Sequence, residues 1–542
     1  MSRTTLSERG DVRMSDDDGE NIDAARGLRQ ALPWVALVIA MGAGALLSVG
    51  AFLGVYLRPT SDDWCALWKT RDMGVLGITA DFYRTQNGRV TNAFLTGLLY
   101  TDDMRGPKLL PAFLVVTLGA GLFLLARAAL RALRLPFPAT AAAAAVLVLE
   151  ALLFFAGTRS YQVLLWAPST ISHTLPSVLG VWAVLSGVWG ARSRRRWARG
   201  TAVGAAALLG TAAGMLSEPF VAMSGLIAAA TGVLCLPRFG RTRDRFASTW
   251  CAAWCLGLLI GLVMLTTSPG ARWRRAQQPK EPLSLSGVGE TFHDWWRIWE
   301  TIGGQWAYAG ALGAGVLLGL AVALSDRRDR RGEDARAGRT SSGGTFQVAV
   351  VLLPLPLIVL GSLVAAYGLR SGYGASGWTY ARTWTSFLVP FLLALSGYGA
   401  WFGYRLGRGL RDGHATSSEG DGPGGRPAPG DGHRLGGSPS PAGVRAARLA
   451  ALVVTGAVAV ASLAALVPAV RALTEETVVR SVAWDRQDAR IRAEVAAGRR
   501  EVTYRPLYIG ALAEPFFTEV YEKDWAARCT ASYYRVDRLV RP

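Results

Sequence analysis

The 542-residue sequence has few charged residues and few potential metal ligands: only 18% of its residues are Asp, Glu, Lys or Arg, and it contains 5 Cys and 4 His. So low a charge argues against an ordinary soluble enzyme, while a hydrophobic share of 51% rules out a disordered chain. His293, His414 and His433 show no metal-ligand spacing with any Cys. The sequence also lacks heptads, repeats of about 20–50 residues and a nucleotide-binding glycine motif, which argues against coiled coils, solenoids and the common nucleotide-binding folds.

The hydrophobic residues are concentrated in long runs, which short Arg-rich stretches separate. Runs of roughly 17–25 apolar residues are long enough to cross a bilayer as helices. The sequence therefore predicts an all-α polytopic membrane protein with about eleven transmembrane helices. The predicted spans are 31–57, 109–130, 136–156, 174–190, 201–216, 219–236, 247–267, 303–325, 346–368, 383–404 and 444–468.

The positive charge is unevenly distributed along the chain. Lys and Arg number 58 against 39 Asp and Glu, a net charge of +19. Arginine is concentrated in the N-terminal segment and in alternate loops, at 192–199, 238–245, 327–339 and 405–411. Because cytoplasmic loops carry the excess of Lys and Arg, these loops and the N-terminus are predicted to be cytoplasmic, and the C-terminus extracytoplasmic. Most of the excess charge then orients helices in a cell membrane, and we expect no nucleic-acid partner.

The predicted organisation is a transmembrane domain with two polar ends. Residues 1–30 are expected to form a disordered cytoplasmic tail, residues 31–468 the transmembrane domain, and residues 469–542 an extracytoplasmic C-terminal segment. The longer loops are the first outer loop at 58–108 and two cytoplasmic linkers at 326–345 and 412–443.

Two adjacent carboxylates follow the first predicted span, in the sequence Ser61-Asp62-Asp63-Trp64-Cys65. A carboxylate at a membrane surface is suited to act as a general base toward a sugar hydroxyl, and a pair can bind a divalent cation. The alternative is structural, because Ser61 or Asp62 would equally serve as the N-cap of the next helix.

Two motifs place arginine on the predicted outer side, against the charge trend. Asn87-Gly88-Arg89 lies in the first outer loop, and the sequence SPGARWRR after the seventh span contains Arg272, Arg274 and Arg275. A lipid-linked phosphate is the natural anionic partner outside a cell, since arginine recognises phosphate through two donors. The alternatives are a helix break with a snorkelling Arg89 and a solvated basic loop.

Three further polar residues stand at the ends of predicted spans. Glu218, in Ser217-Glu218-Pro219, has almost no loop around it, and ionisable groups at such depth are functional by default; the alternative is an exposed hairpin tip. His173 and Arg382 lie in outer loops beside aromatic residues, where structural roles or interface anchoring compete with substrate binding.

The five cysteines divide into two groups. Cys235, Cys251 and Cys255 lie in or near spans, where cysteine packs as a small apolar residue. Cys65 and Cys529 both fall on the predicted outer, oxidising side. We therefore expect a Cys65–Cys529 disulfide that ties the C-terminal segment to the loop of Asp62 and Asp63.

Five short motifs, in this order, resemble the GT-C superfamily of integral-membrane glycosyltransferases, and most closely a family of bacterial multi-pass proteins of unassigned function that is allied to it. They are SDDWC, NGR, SEP, SPGARWR and DWAARCTASYYRV, and the resemblance covers roughly residues 35–540. It implies a GT-C-like fold and transfer of a sugar from a polyprenyl-phosphate donor at the outer face. Ala271 departs from the family's Pro-Gly-Asn, and His173 stands where the family tends to have Tyr.

The resemblance implies a catalytic carboxylate in the first outer loop. Here it would be Asp63 or Asp62, with Asp63 preferred, and it would remove the acceptor proton or hold a divalent cation. Arg89 and the arginines of SPGARWRR would neutralise the leaving phosphate, and Glu218 would orient the sugar or the acidic pair. Further expected contacts to substrate are Asn87, His173 and Arg382. The expected partners are membrane lipid, the polyprenyl-phosphate donor and an envelope glycan or protein acceptor.

Two other classes of protein remain as alternatives. A transporter or flippase of lipid-linked glycans would show internal repeats and ionisable residues at the bilayer midplane, and neither is evident here. A non-enzymatic envelope assembly protein would use its outer loops only to bind partners.

Overall fold

The computed structural model describes residues 16–237, 244–277, 285–326, 353–412 and 441–542. The described part of the chain is almost entirely helical, which confirms the predicted all-α class; its two short strands pair in parallel. The elements are α1 (Asp16–Phe52), α2 (Asp62–Thr85), α3 (Val90–Leu99), α4 (Arg105–Ala132), α5 (Ala139–Phe155), α6 (Ala167–Ser169), α7 (Leu175–Arg192), α8 (Arg196–Gly214), α9 (Glu218–Leu234), α10 (Arg245–Thr267), α11 (Pro269–Gln277), α12 (Leu285–Gly304), α13 (Ala309–Ser325), α14 (Pro354–Tyr373), α15 (Thr385–Asp412), α16 (Pro441–Ala496), β1 (Glu501–Thr503), α17 (Trp525–Tyr534) and β2 (Arg538–Val540).

Among the described residues, eight helices are long and apolar enough to cross a membrane, which indicates a membrane protein. These candidate spans are Gln30–Tyr56, Arg105–Ala132, Ala167–Arg192, Arg245–Thr267, Trp306–Ser325, Pro354–Thr379, Ala381–Gly409 and Val453–Ala496. The three other predicted spans coincide with the helices α5, α8 and α9, which are not among the eight; α5 and α9 have only 17 residues each. The count of about eleven therefore stays a prediction.

Glycine allows pairs of these helices to pack with their backbones in contact. In the pair α13 and α15, a Cβ atom at Gly319 would lie 1.9 Å from the carbonyl oxygen of Ala400, and one at Gly403 would lie 2.2 Å from that of Val316. Any side chain at these positions would push the helices apart. Small residues serve this purpose in membrane helix packing, because the surrounding lipid provides no hydrophobic drive for helices to associate.

Two boundaries differ from the sequence-based prediction. The predicted span 444–468 and the start of the predicted C-terminal segment form one continuous helix, α16, which passes through Pro468 and carries the chain from the bundle into the C-terminal segment. Helix α1 begins at Asp16, inside the predicted disordered tail. The first 15 residues of that tail, and nearly all of the predicted linkers at 326–345 and 412–443, lie outside the described residues.

The C-terminal segment packs onto α2 at one end of the bundle, which we call the site end. A disulfide joins Cys65 on α2 to Cys529 on α17, the pair that the sequence suggested. The Trp64 side chain is fully buried beside them. Its ring lies 5.2–6.2 Å from four aromatic rings of the C-terminal segment, those of Trp484, Tyr504, Tyr533 and Tyr534. The C-terminal segment thereby fixes the start of α2, where the two adjacent carboxylates lie.

Candidate functional site

The Asp63 carboxylate closes the turn that begins α2. The backbone N–H of Thr60 donates to its Oδ2 atom over 3.1 Å, and the Tyr100 hydroxyl donates to its Oδ1 atom. Asp63 is only 3% exposed, and burial raises its pKa to about 7, against the lowering effect of these two hydrogen bonds. Ser61 occupies the N-cap position without a side-chain capping bond. Both Asp63 oxygens are therefore engaged in holding the turn.

A buried ion pair supports the same turn from the C-terminal segment. The Glu514 carboxylate is fully buried; it accepts hydrogen bonds from the hydroxyls of Thr60 and Tyr504, and from Arg480 over 3.0 Å. Arg480 also donates to the backbone carbonyl of Pro59 over 2.8 Å. Burial raises the pKa of Glu514, and the Arg480 charge opposes that rise. Since each charge in the pair has a partner and further hydrogen bonds, the network anchors residues 59 to 63 in one conformation.

The Asp62 side chain is not among the hydrogen-bonding groups of this network. It is exposed, yet burial by the protein around it raises its pKa, while the positive charges of Arg382 and Arg274 oppose the rise. The Asp62 carboxylate is therefore accessible to solvent and lies within the electrostatic influence of two arginines from separate segments, Arg382 and Arg274.

A cavity of about 350 Å³ lies at the site end of the bundle, between the first loop and helices α9, α11 and α14. Besides Tyr367 and Tyr373, six ionisable or amide groups line it: Asn87, Arg89, His173, Glu218, Arg274 and Arg275. All six were singled out in the sequence, where they come from four segments far apart along the chain. Ala271 also lines the cavity and contributes only a methyl group.

Two glycines allow the NGR and SPGARWRR motifs to pack directly against each other. Gly88 has a φ of +72°, and a Cβ atom there would lie 2.0 Å from the Ser268 hydroxyl oxygen and 2.6 Å from the carbonyl oxygen of Leu265. A Cβ atom at Gly270 would lie 2.7 Å from the backbone nitrogen of Gln86. Only glycine combines the left-handed backbone at position 88 with such an approach. This contact brings the arginines of both motifs to one cavity.

Arg89 is held in place but not fully satisfied. Its Nη2 atom donates to Glu218 Oε2 over 2.7 Å, and its backbone N–H donates to Asn87 Oδ1 over 3.1 Å. The Nε atom is buried without a hydrogen-bond partner. Burial and the nearby Glu218 charge have opposite effects on the Arg89 guanidinium, and its pKa is raised overall. Arg89 is therefore a fixed cation with an unused donor in the cavity wall.

His173 and Arg382 complete the surroundings. His173 is 7% exposed and lines the cavity, and its Nδ1 atom has no hydrogen-bond partner. The Arg382 guanidinium donates to Gln162 over 3.1 Å and lies over the rings of Trp166 and Tyr380, at 5.2 Å and 5.1 Å from their centroids. These contacts with two aromatic rings, together with the hydrogen bond to Gln162, give this charge a defined position as well.

Four predicted site residues do not line the cavity: Asp62, Asp63, Arg272 and Arg382. Asp62 is connected to the cavity through charge, since the cavity-lining Arg274 acts on its carboxylate together with Arg382. Asp63 lies in the anchoring network, and Arg272 is exposed and does not line the cavity. The structure thus separates Asp62 from Asp63, and Arg274 and Arg275 from Arg272.

The two adjacent carboxylates do not suit a resident metal ion. Both Asp63 oxygens already accept hydrogen bonds, which leaves Asp62 alone. Within the described ranges, no group of three or more His, Cys, Asp and Glu residues could hold a metal ion. The divalent cation that the sequence allowed for therefore has no ligand set in the described part of the site.

Residues that position the acidic turn were missed from the sequence. Tyr100, Arg480 and Glu514 lie in segments that carry no recognisable motif. The hydroxyl of Thr60 bonds to Glu514 across 454 residues. The one available signal was that Arg480 and Glu514 are charged residues in a predicted small packed segment, where isolated charges are rarely buried unless they are paired.

Comparisons of the chain with protein-family models, with curated proteins and with solved structures found no match.

Proposed function

We propose that the protein is a membrane glycosyltransferase that transfers a sugar from a polyprenyl-phosphate-linked donor to a cell-envelope acceptor at the outer membrane face. The observation that supports this most is the grouping of charges at the site end: the Asp62 carboxylate lies within the electrostatic influence of Arg382 and Arg274, and Arg274 lines a cavity together with Arg89 and Arg275. A base next to a concentration of fixed arginines suits a reaction in which a hydroxyl loses a proton and a phosphate departs.

The same proposal includes the orientation of the chain. The N-terminus and the Arg-rich loops would be cytoplasmic, and the site end with the C-terminal segment would face outward. The Cys65–Cys529 disulfide lies at the site end, and disulfides persist on the oxidising side of a cell membrane.

In the proposed reaction, the acceptor hydroxyl oxygen forms a bond to the anomeric carbon of the donor sugar. The bond from that carbon to the phosphate oxygen breaks, and its electron pair leaves with the phosphate. The hydroxyl proton passes to the Asp62 carboxylate. Negative charge thus moves from the base to the leaving phosphate, where Arg89, Arg274 and Arg275 would stabilise it.

Asp62 suits the role of base better than Asp63. Its carboxylate is accessible, whereas both oxygens of Asp63 are occupied and its side chain is 3% exposed. The raised pKa of Asp62 also makes it a stronger base than an ordinary aspartate. We therefore place the catalytic role on Asp62, in contrast to the preference for Asp63 drawn from the sequence.

The test is sugar transfer by Asp62→Asn in membranes that contain matched amounts of protein. We expect a loss of at least about 100-fold, as for removal of a general base. Asp102→Asn is the matched control, because Asp102 belongs to the same outer loop and makes only an exposed ion pair with Arg105. Full activity in Asp62→Asn would refute the proposal, and so would an equal loss in the control.

A further inference from the structure

The charges around the cavity do not cancel. Arg89, Arg274 and Arg275 line it together with Glu218. If the His173 imidazole is taken as neutral, three arginines face one carboxylate, which leaves an excess of two positive charges among the described residues that line the cavity. Arginine stays protonated at all physiological pH values, so the arginines cannot relieve this excess by losing protons.

Several donors in the wall also have no acceptor within the protein. The buried Nε atom of Arg89 has no hydrogen-bond partner. Arg274 makes no hydrogen bond or ion pair with any described residue, while Arg275 donates one hydrogen bond to the backbone carbonyl of Thr266 over 2.6 Å. Arg274 and Arg275 are exposed, so their remaining donors are open to a ligand in the cavity. Excess charge and unused donors together specify an anion with several acceptor oxygens.

We propose that the cavity prefers a phosphate monoester, which carries two negative charges near neutral pH, over a phosphodiester, which carries one. The inference rests on the proposed function and deepens it. A polyprenyl-phosphate sugar is a phosphodiester, and the polyprenyl phosphate released from it is a monoester with one more negative charge. The site therefore binds the leaving group more tightly than the donor, and the released lipid phosphate is a product inhibitor.

This preference has a catalytic consequence. Charge on the phosphate grows as the bond to the sugar breaks, and interactions that are stronger in the transition state than in the bound substrate accelerate the step. Two uncompensated arginine charges interact more strongly with a dianion than with a monoanion in a partly desolvated cavity. Slow release of the lipid phosphate is the accompanying cost.

The test compares two small probes that differ by one charge, methyl phosphate and dimethyl phosphate, by calorimetry on the purified full-length protein at pH 8. We expect methyl phosphate to bind at least about tenfold more tightly, since a unit charge within a few ångströms of arginine is worth that much even near a surface. Its affinity should decrease as the pH falls through about 6, where a phosphate monoester takes up a proton. Equal affinities of the two probes, or tighter binding of dimethyl phosphate, would overturn the inference.

Arg274→Gln localises the effect without risk to folding, because Arg274 is exposed and has no described partner. It should reduce the preference for methyl phosphate several-fold, while Arg105→Gln, in an exposed ion pair outside the cavity, should not change it. An unchanged preference in Arg274→Gln would contradict the assignment to this cavity.

Asp62→Asn separates this inference from the proposed function. Removal of the Asp62 charge should leave methyl phosphate binding as tight or tighter, even as it abolishes transfer. If the wild-type protein showed no preference for methyl phosphate over dimethyl phosphate, that result would count against the dianion site alone. Persistent transfer by Asp62→Asn with an intact preference would count against the proposed base and not against the site.

Discussion

Asp62 and Asp63 are neighbours in the sequence but belong to two different regions of the molecule. Asp63 lies in the anchoring network, which also contains Tyr100, Arg480 and Glu514, where the carboxylate oxygens have donors and the arginine has acceptors. Asp62 is exposed and lies within the electrostatic influence of Arg274, which lines the cavity where positive charge is in excess. Successive residues on a helix point about 100° apart. A step of one residue at the start of α2 thus leads from a carboxylate that is available for chemistry, Asp62, to one that holds the structure, Asp63.

The difference shows how a polar site can be both fixed and reactive. In a buried network whose donors and acceptors are all paired, the hydrogen bonds fix one conformation, and no group remains to bind a ligand. The side chains that line the cavity remain free to bind a ligand because other contacts position their backbone. These contacts are made by the C-terminal segment and by the closely packed glycines Gly88 and Gly270. Changes in the anchoring network should therefore affect stability, and changes in the cavity should affect binding and transfer.

The largest effect on stability is expected from Arg480→Ala. It would leave Glu514, which is fully buried, without its ion-pair partner, and breaking a buried pair in this way costs about 3–5 kcal/mol. The measurement is limited proteolysis and thermal unfolding of the C-terminal segment. Arg471→Ala is the control, because Arg471 makes an exposed ion pair with Glu475 on the same helix. If Arg480→Ala were as stable as the wild type, the claim that the anchoring network stabilises the structure would be contradicted.

A smaller effect is expected in the pH dependence of stability, through Asp63. Its pKa rises from 3.8 to about 7 on folding, so the folded protein binds this proton more tightly. The contribution is fully present below about pH 4 and is lost as the pH rises to 7, by at most about 4 kcal/mol. Asp63→Asn cannot titrate and should show a flatter profile between pH 4 and 7 than the wild type. Parallel profiles of the two proteins would show that Asp63 is not buried as the structure has it.

The smallest effect is expected from Arg272→Gln. Arg272 belongs to the same motif as Arg274, but it is exposed and lies outside the cavity lining. Surface substitutions of this kind change stability by less than about 0.5 kcal/mol. We expect the transfer activity of Arg272→Gln to stay near the wild-type value. A large loss of transfer in this variant would extend the anion site beyond the residues that line the cavity.

The architecture was accessible from the sequence because its signals are local. Apolar runs of sufficient length predict helices wherever they occur, and helix ends with unusual charges identify Arg89, Glu218 and Arg274. The distinction between Asp62 and Asp63 was not accessible in this way. It depends on where α2 begins and on Tyr100, which lies 37 residues further along the chain.

The support of the site was still less predictable. The bond from Thr60 to Glu514 crosses 454 residues, and no spacing rule connects such positions. The contact between Gly88 and Ser268 was unpredictable for the same reason. Each motif contains a glycine or a turn signal, but neither indicates which distant segment it packs against. Local patterns thus located the groups of the site, and long-range packing decided which of them face each other.

The central claim is that Asp62 performs chemistry while Asp63 maintains the structure. The most direct measurement is the rate of sugar transfer by Asp62→Asn and Asp63→Asn in parallel, each normalised to the amount of folded protein. We expect Asp62→Asn to lose at least about 100-fold and Asp63→Asn to stay within about tenfold of the wild type once its folded fraction is counted. The reverse order, with Asp63→Asn inactive and Asp62→Asn active, would contradict the assignment.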